Sequence, residues 1–113
     1  DADGDQMKVH PLVEKAILDT HKVGKPICAM CIAPIVLAKV LGSVGVKLTL
    51  GQPCDASRAA VRMGAVQINC QPTEIAVDKI NKVITTPAYM VASRISEIFE
   101  GADNMIEALV PML

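Results

Sequence analysis

The sequence predicts an α/β fold, a mostly parallel sheet with helices on both sides, closed by a β-hairpin and a helical tail. Three observations point there. Helix-like and strand-like segments alternate along the chain. Half of the residues are apolar (51%), but the aromatics are a single Tyr and a single Phe. The core must therefore come from Val, Ile, Leu, Ala and Met, in short uncharged runs that suit strands covered on both faces. Finally, two Val/Ile-containing runs near the end flank a polar turn, which reads as a hairpin.

The elements follow in order. Residues 1–9 read as a loop. Pro11 suits the first turn of a helix over 11–23. Val13, Ala16, Ile17 and Thr20 share its inner face, and Gly24 and Pro26 stop it. Residues 27–30, held between Pro26 and Pro34, read as a fully buried parallel strand. A helix follows from Ala33 to Gly42, then a strand over 46–50 closed by Gly51. Asp55 is the expected N-cap of a helix ending at Gly64. Residues 66–69 suggest another strand. The hairpin pairs 74–77 with 83–86 and turns through 78–82, where Asn81 is suited to positive φ. The remainder is helical, with an expected break at Gly101 and a cap at Asp103.

Composition narrows the function. The chain has 113 residues, enough for one small domain, and a net charge of −1. Nothing favours nucleic acid or an anionic membrane. The apolar run 26–38 is too short to span a bilayer, which takes about 20 residues. The start, Asp-Ala-Asp-Gly-Asp, is unlike an export signal. A cytoplasmic location and four reduced cysteines (Cys28, Cys31, Cys54, Cys70) are therefore expected.

The chemistry concentrates on Cys31. A buried strand runs into it and a helix starts just beyond, a turn of the nucleophile-elbow kind. Such a turn lifts a side chain to the carboxyl edge of the sheet, where open α/β sheets place their sites. Helix N-terminal amides aimed at the thiol would favour its thiolate and could hold an oxyanion. On spacing alone, the plainer reading is a buried structural cysteine.

Two segments, KPICAMCIAPIVLAKVLG and NKVITTPAYMVAS, change that balance. They resemble the DJ-1/PfpI superfamily, which is class I glutamine amidotransferase-like. Within it they resemble the branch of the ElbB, sigma cross-reacting 27A and ES1 proteins. The resemblance runs from about His10 to Leu113 and implies that residues 1–113 are the C-terminal part of one such domain. The family's opening strands and glycine-rich loop would precede Asp1. The resemblance implies Cys31 as the elbow nucleophile and Ile32 as an oxyanion donor. It places Thr85, Thr86 and Pro87 beside the cysteine, with Tyr89 reaching the same pocket. It further implies cofactor-independent, glyoxalase-type conversion of small 2-oxoaldehydes. A homodimer is expected, or association with the missing N-terminal half, and a mitochondrial location for an ES1-type protein whose leader has been removed. This chain has Ile32 where some relatives have His, and no histidine follows His21, so a Cys-His hydrolase is not expected.

Other readings compete. Cys31 could be a redox sensor without turnover, or the fold a scaffold. Cys28 and Cys31 form a C-x-x-C, which admits a thioredoxin-like oxidoreductase, with Pro72 before the hairpin. No metal site is expected, because Cys54 and Cys70 each stand alone. His10 and His21 read as solvated helix ends. Met63, Met90, Met105 and Met112 read as core filler, and Arg58, Arg62, Lys79 and Lys82 as solvated charges.

Overall fold

Prolines and glycines punctuate this chain, and the computed structural model, which describes residues 8–90 and 92–113, follows them closely. Pro11 opens α1 (Pro11–Lys22), whose N-cap His10 accepts from the Leu12 amide through Nδ1 at 3.1 Å. Then come β1 (Ile27–Met30) and α2 (Pro34–Leu41), the latter with proline in its first turn. A short 3₁₀ turn leads into β2 (Lys47–Leu48), α3 (Asp55–Arg62) and β3 (Val66–Gln67). The hairpin is β4 (Ala76–Asp78) and β5 (Val83–Thr86), and α4 (Ile95–Leu109) closes the chain.

The strands form two small sheets. β1 runs parallel to β5, with Ile27 opposite Val83 and Met30 opposite Thr86. β4 pairs antiparallel to β5 on the other side, so the order is β1-β5-β4. β2 and β3 form a parallel pair. Side chains join the sheets where backbone does not. The Lys47 amide donates to Asp78 Oδ2 (2.8 Å) and the Thr49 amide to Thr85 Oγ1 (2.9 Å). The α/β fold with a mostly parallel sheet, expected from the sequence, is what the structure has.

The core lies between this sheet and the α2/α3 layer. Leu37, Ala38, Leu41, Val46, Leu48, Leu50, Ala59, Ala60 and Val83 are buried together. Ile27 and Ala29 of β1 pack against the same cluster. Each buried Leu or Val contributes roughly 1.5–3 kcal/mol over its exposed state. The ends of α2 and α3 touch where Gly42 meets Met63 and Gly64. A Cβ on Gly42 would overlap the Met63 carbonyl oxygen, so only glycine lets the two helix ends touch.

Several expectations from the sequence need correction. β1 is half-buried along its whole length because it is an edge strand here, with one neighbour. Along α1, Val13 and Ala16 are exposed, and only Ile17 and Thr20 of the expected inner face are half-buried. The strands at 46–50 and 66–69 shrink to two residues each. Cys54, not Asp55, caps α3: its Sγ accepts from the Ser57 amide (3.4 Å), and Ser57 Oγ accepts from the Cys54 amide (2.8 Å). In the hairpin, Lys82 carries the positive φ (55°) rather than Asn81. Asp78 explains that shift, since its carboxylate accepts from the Ile80 and Asn81 amides and from the Asn81 side chain.

The largest correction concerns α4, which runs unbroken through Gly101 and Asp103. Glycine inside a helix costs about 1 kcal/mol relative to alanine. Here it permits contact rather than ending the helix. A Cβ at Gly101 would sit 2.9 Å from Thr86 Oγ1 and 3.0 Å from the Pro72 carbonyl oxygen.

Candidate functional site

β1 and β5 end side by side, and both chains then bend left-handed. Met30, the last residue of β1, is paired with Thr86. Cys31 follows with φ 62°, and Pro87 is followed by Ala88 with φ 46°. Left-handed backbone is strained for residues with a Cβ and persists only where the surroundings enforce it. At Cys31 the enforcing contacts are visible. Its amide donates to the Thr86 carbonyl (3.1 Å), extending the β1–β5 ladder by one rung. Directly after it, the Ala33 amide donates back to Met30 (3.1 Å), closing the turn into α2.

The helix start differs from expectation in one respect. A set of amides aimed at the thiol was anticipated, but most are already engaged. Ala33, Ile35 and Val36 donate to Met30, Ile32 and Ala33 at 2.9–3.1 Å, because the first turn is wound tightly. The Ile32 amide is different, since it has no acceptor among the described residues. Among the described residues, the turn thus leaves one N–H unengaged next to the cysteine. Cys31 is half-buried, and the Ile32 side chain is half-exposed beside it.

Of the other candidate residues, Thr86 and Pro87 lie against this turn, and both are fully buried. Thr86 Oγ1 donates to the Glu74 carbonyl (2.9 Å), so the hydroxyl serves the hairpin and is not free for a ligand. Thr85 is likewise committed, accepting from the Thr49 amide. The side chain of Tyr89 lies outside what the structure describes. His21 Nε2 meets Asn81 Oδ1 at 2.9 Å, beside the hairpin turn and the start of β1, the far end of the sheet from Cys31. His10 caps α1. Both histidines thus have structural partners, and His21, expected to be solvated, is half-buried against Asn81 instead.

The remaining cysteines are placed differently. Burial pushes the Cys28 thiol up. It also pushes up Cys70, more than a hydrogen bond with Thr49 lowers it. Both are thereby kept as poorly nucleophilic thiols. Cys28 lies within β1 opposite Ile84, not at a helix start, so the C-x-x-C does not have the layout of a thioredoxin-like pair. No group of His, Cys, Asp or Glu suited to holding a metal occurs among the described residues. No described helix is long and apolar enough to cross a membrane.

Two residues that the sequence did not connect with Cys31 complete the surroundings. Gly101 lies against Thr86, and Asn104, one turn along α4, donates to the Thr73 carbonyl (2.8 Å). Nothing local in the sequence links them to Cys31.

No protein-family model matches the chain. A human protein described as glutamine amidotransferase-like class 1 domain-containing protein 3, mitochondrial, is 34% identical over 119 residues. The match covers 97% of this chain and 44% of the human protein. A rat ES1 protein homolog, mitochondrial, is also 34% identical with the same coverage. A mitochondrial ES1 protein of Danio rerio is 33% identical over 124 residues, covering 97% of this chain and 45% of its own length. A crystal structure of an isoprenoid biosynthesis protein with an amidotransferase-like domain, from Ehrlichia chaffeensis, superposes with a TM-score of 0.85 at 27% identity. That match covers 93% of this chain and 49% of the solved one. The chain thus spans about half the length of the relatives it matches. The left-handed strand-to-helix turn, the parallel β1–β5 pair and these similarities agree, and the chain belongs to the class I glutamine amidotransferase-like proteins of the DJ-1/PfpI type, in their ES1 branch.

Proposed function

We propose that Cys31 is the reactive centre of this domain and that it converts small 2-oxoaldehydes to 2-hydroxy acids without a cofactor. One observation carries the reading. Cys31 is held at φ 62° between two strand ends and a helix start, with the unengaged Ile32 amide beside it. The reading takes this thiol as the nucleophile and this N–H as the oxyanion donor, at the carboxyl edge of the sheet where open α/β sheets hold their sites.

The chemistry balances without an external oxidant. The thiolate adds to the aldehyde carbon, whose π pair moves to oxygen, and the Ile32 N–H stabilises that oxygen before it is protonated. A base removes the proton on the former aldehyde carbon, and the electron pair shifts to give an enediol. Reprotonation at the neighbouring carbon leaves a 2-hydroxyacyl thioester on Cys31. Water then displaces the thiolate and releases the hydroxy acid. With both histidines committed elsewhere, the base belongs to the segment that completes the domain. The same proposal assigns a mitochondrial location, as in the three named relatives. The test is turnover of methylglyoxal by the intact protein. Cys31→Ala should reduce it to background, and unchanged turnover would exclude the mechanism.

A second reading follows from the half-exposure of Cys31. A half-exposed thiol can oxidise to the sulfenic and sulfinic acids and report peroxide. Oxygen added at Cys31 by mild peroxide, with no aldehyde turnover, would favour it. If peroxide modified Cys54 and spared Cys31, the sensor reading would be excluded. Should Cys31→Ser behave as wild type in both assays, a scaffold role would remain.

A further inference from the structure

Resting on the reading of Cys31 as the reactive centre, we infer that Asn104 and Gly101 of α4 are positioning residues for that cysteine. They act through Thr86. The contacts form an unbroken line. Asn104 Nδ2 donates to the Thr73 carbonyl at 2.8 Å. The adjoining Glu74 carbonyl accepts from Thr86 Oγ1 at 2.9 Å. The Thr86 carbonyl accepts from the Cys31 amide at 3.1 Å. Gly101 removes the one side chain that would separate α4 from this line, since its Cβ would meet Thr86 Oγ1 and the Pro72 carbonyl.

The turn that α4 grips is itself closed. The Glu74 amide donates to the Gln71 carbonyl (3.0 Å), and the Gln71 amide donates to Glu74 Oε1 (2.6 Å). These two bonds tie Thr73 and Glu74 into one turn, so a hold on Thr73 bears on Glu74. Thr86 is fully buried and cannot replace Glu74 with water. Its carbonyl therefore has one position, and the Cys31 amide must meet it there. A left-handed φ at a residue with a Cβ requires such outside support. Without it the backbone would relax toward ordinary φ and carry the thiol with it.

Three substitutions in the intact protein test this. Thr86→Val keeps the shape and removes the hydroxyl, Thr86→Ser keeps the hydroxyl, and Asn104→Ala releases the turn. The readout is iodoacetamide alkylation of Cys31 relative to Cys54, which caps α3 and serves as an internal reference. Hydrogen exchange at the Cys31 amide is measured alongside. Thr86→Val and Asn104→Ala should lower the Cys31/Cys54 ratio by about tenfold and speed exchange at Cys31. Thr86→Ser should stay within about twofold of wild type. A residue that only stabilised the fold would lower the melting temperature and leave the ratio unchanged in the folded protein. An unchanged ratio together with unchanged exchange at Cys31 would overturn the inference. If wild-type Cys31 proved no more reactive than Cys54, the reactive-centre reading would fail, and the exchange measurement alone would decide the positioning role.

Discussion

The two faces of the β1–β5 sheet are finished to different degrees. On the α2/α3 face, Leu41, Val46, Leu48, Leu50 and Val83 are sealed by residues of this chain. On the other face and along the β1 edge, the chain leaves apolar surface open. α1 has no buried residue, and Leu12 is 72% exposed. Ile95, Phe99 and Ile106 of α4, with Val110 just past its end, line up at helical spacing and face outward, Phe99 at 67% exposure. The alternation of a parallel ladder turns the Cys28 and Met30 amides toward the open edge of β1. β1 carries none of the charges or prolines that protect natural edge strands. In composition it is an interior strand, and here it has one neighbour. Cys31 stands on the seam between the finished and unfinished regions. The site proposed there would draw on both, and among the described residues neither histidine is free to serve it as a base.

Substitutions can break that comparison. On the sealed face, Leu48→Ala should cost about 3 kcal/mol in denaturant titrations of the intact protein. On the open face, Phe99→Ala is the sharper probe. If α4 is covered by another segment or a second copy, the cost should be about 2 kcal/mol. A cost below about 0.5 kcal/mol would mean that the stripe stays in water.

Asp78 tests the joint between the sheets. Burial raises its carboxyl, but hydrogen bonds from the Asn81 amide, the Lys47 amide, the Asn81 side chain and the Ile80 amide together hold it below the ordinary value of 3.8. The folded state thus binds its proton less readily than the unfolded chain. The stabilisation is complete above the unfolded value and is lost as pH falls through the folded one. Asp78→Asn should cost about 1.5 kcal/mol at neutral pH. It should also flatten the loss of stability in acid, as seen by comparing unfolding at neutral pH with unfolding in strong acid.

Much of this architecture was legible in the sequence because prolines and glycines mark it. Pro11, Pro26 and Pro34 bracket α1, β1 and α2, and the hairpin runs state their own pairing. What was illegible depended on contacts distant along the chain. Gly101 reads locally as a helix stop, and only the approach of Thr86 shows that it is a notch. Asn81 looks like the positive-φ residue until Asp78 takes its amide and side chain. β2 reads as longer than it is because Thr49 bonds to the Thr85 side chain instead of a strand. At the site, strand, cysteine and proline in close succession suggested the turn at Cys31. That one amide rather than several remains open could not be read, because it depends on how tightly the first turn of α2 winds.

The most direct measurement is the alkylation rate of each cysteine in the intact protein at neutral pH, resolved by mass spectrometry and compared with glutathione. The account predicts that Cys31 reacts first and faster than glutathione, while Cys28 and Cys70, whose thiols burial pushes up, lag behind. A Cys31 slower than glutathione, or no faster than Cys28, would contradict the proposal that Cys31 is the reactive centre.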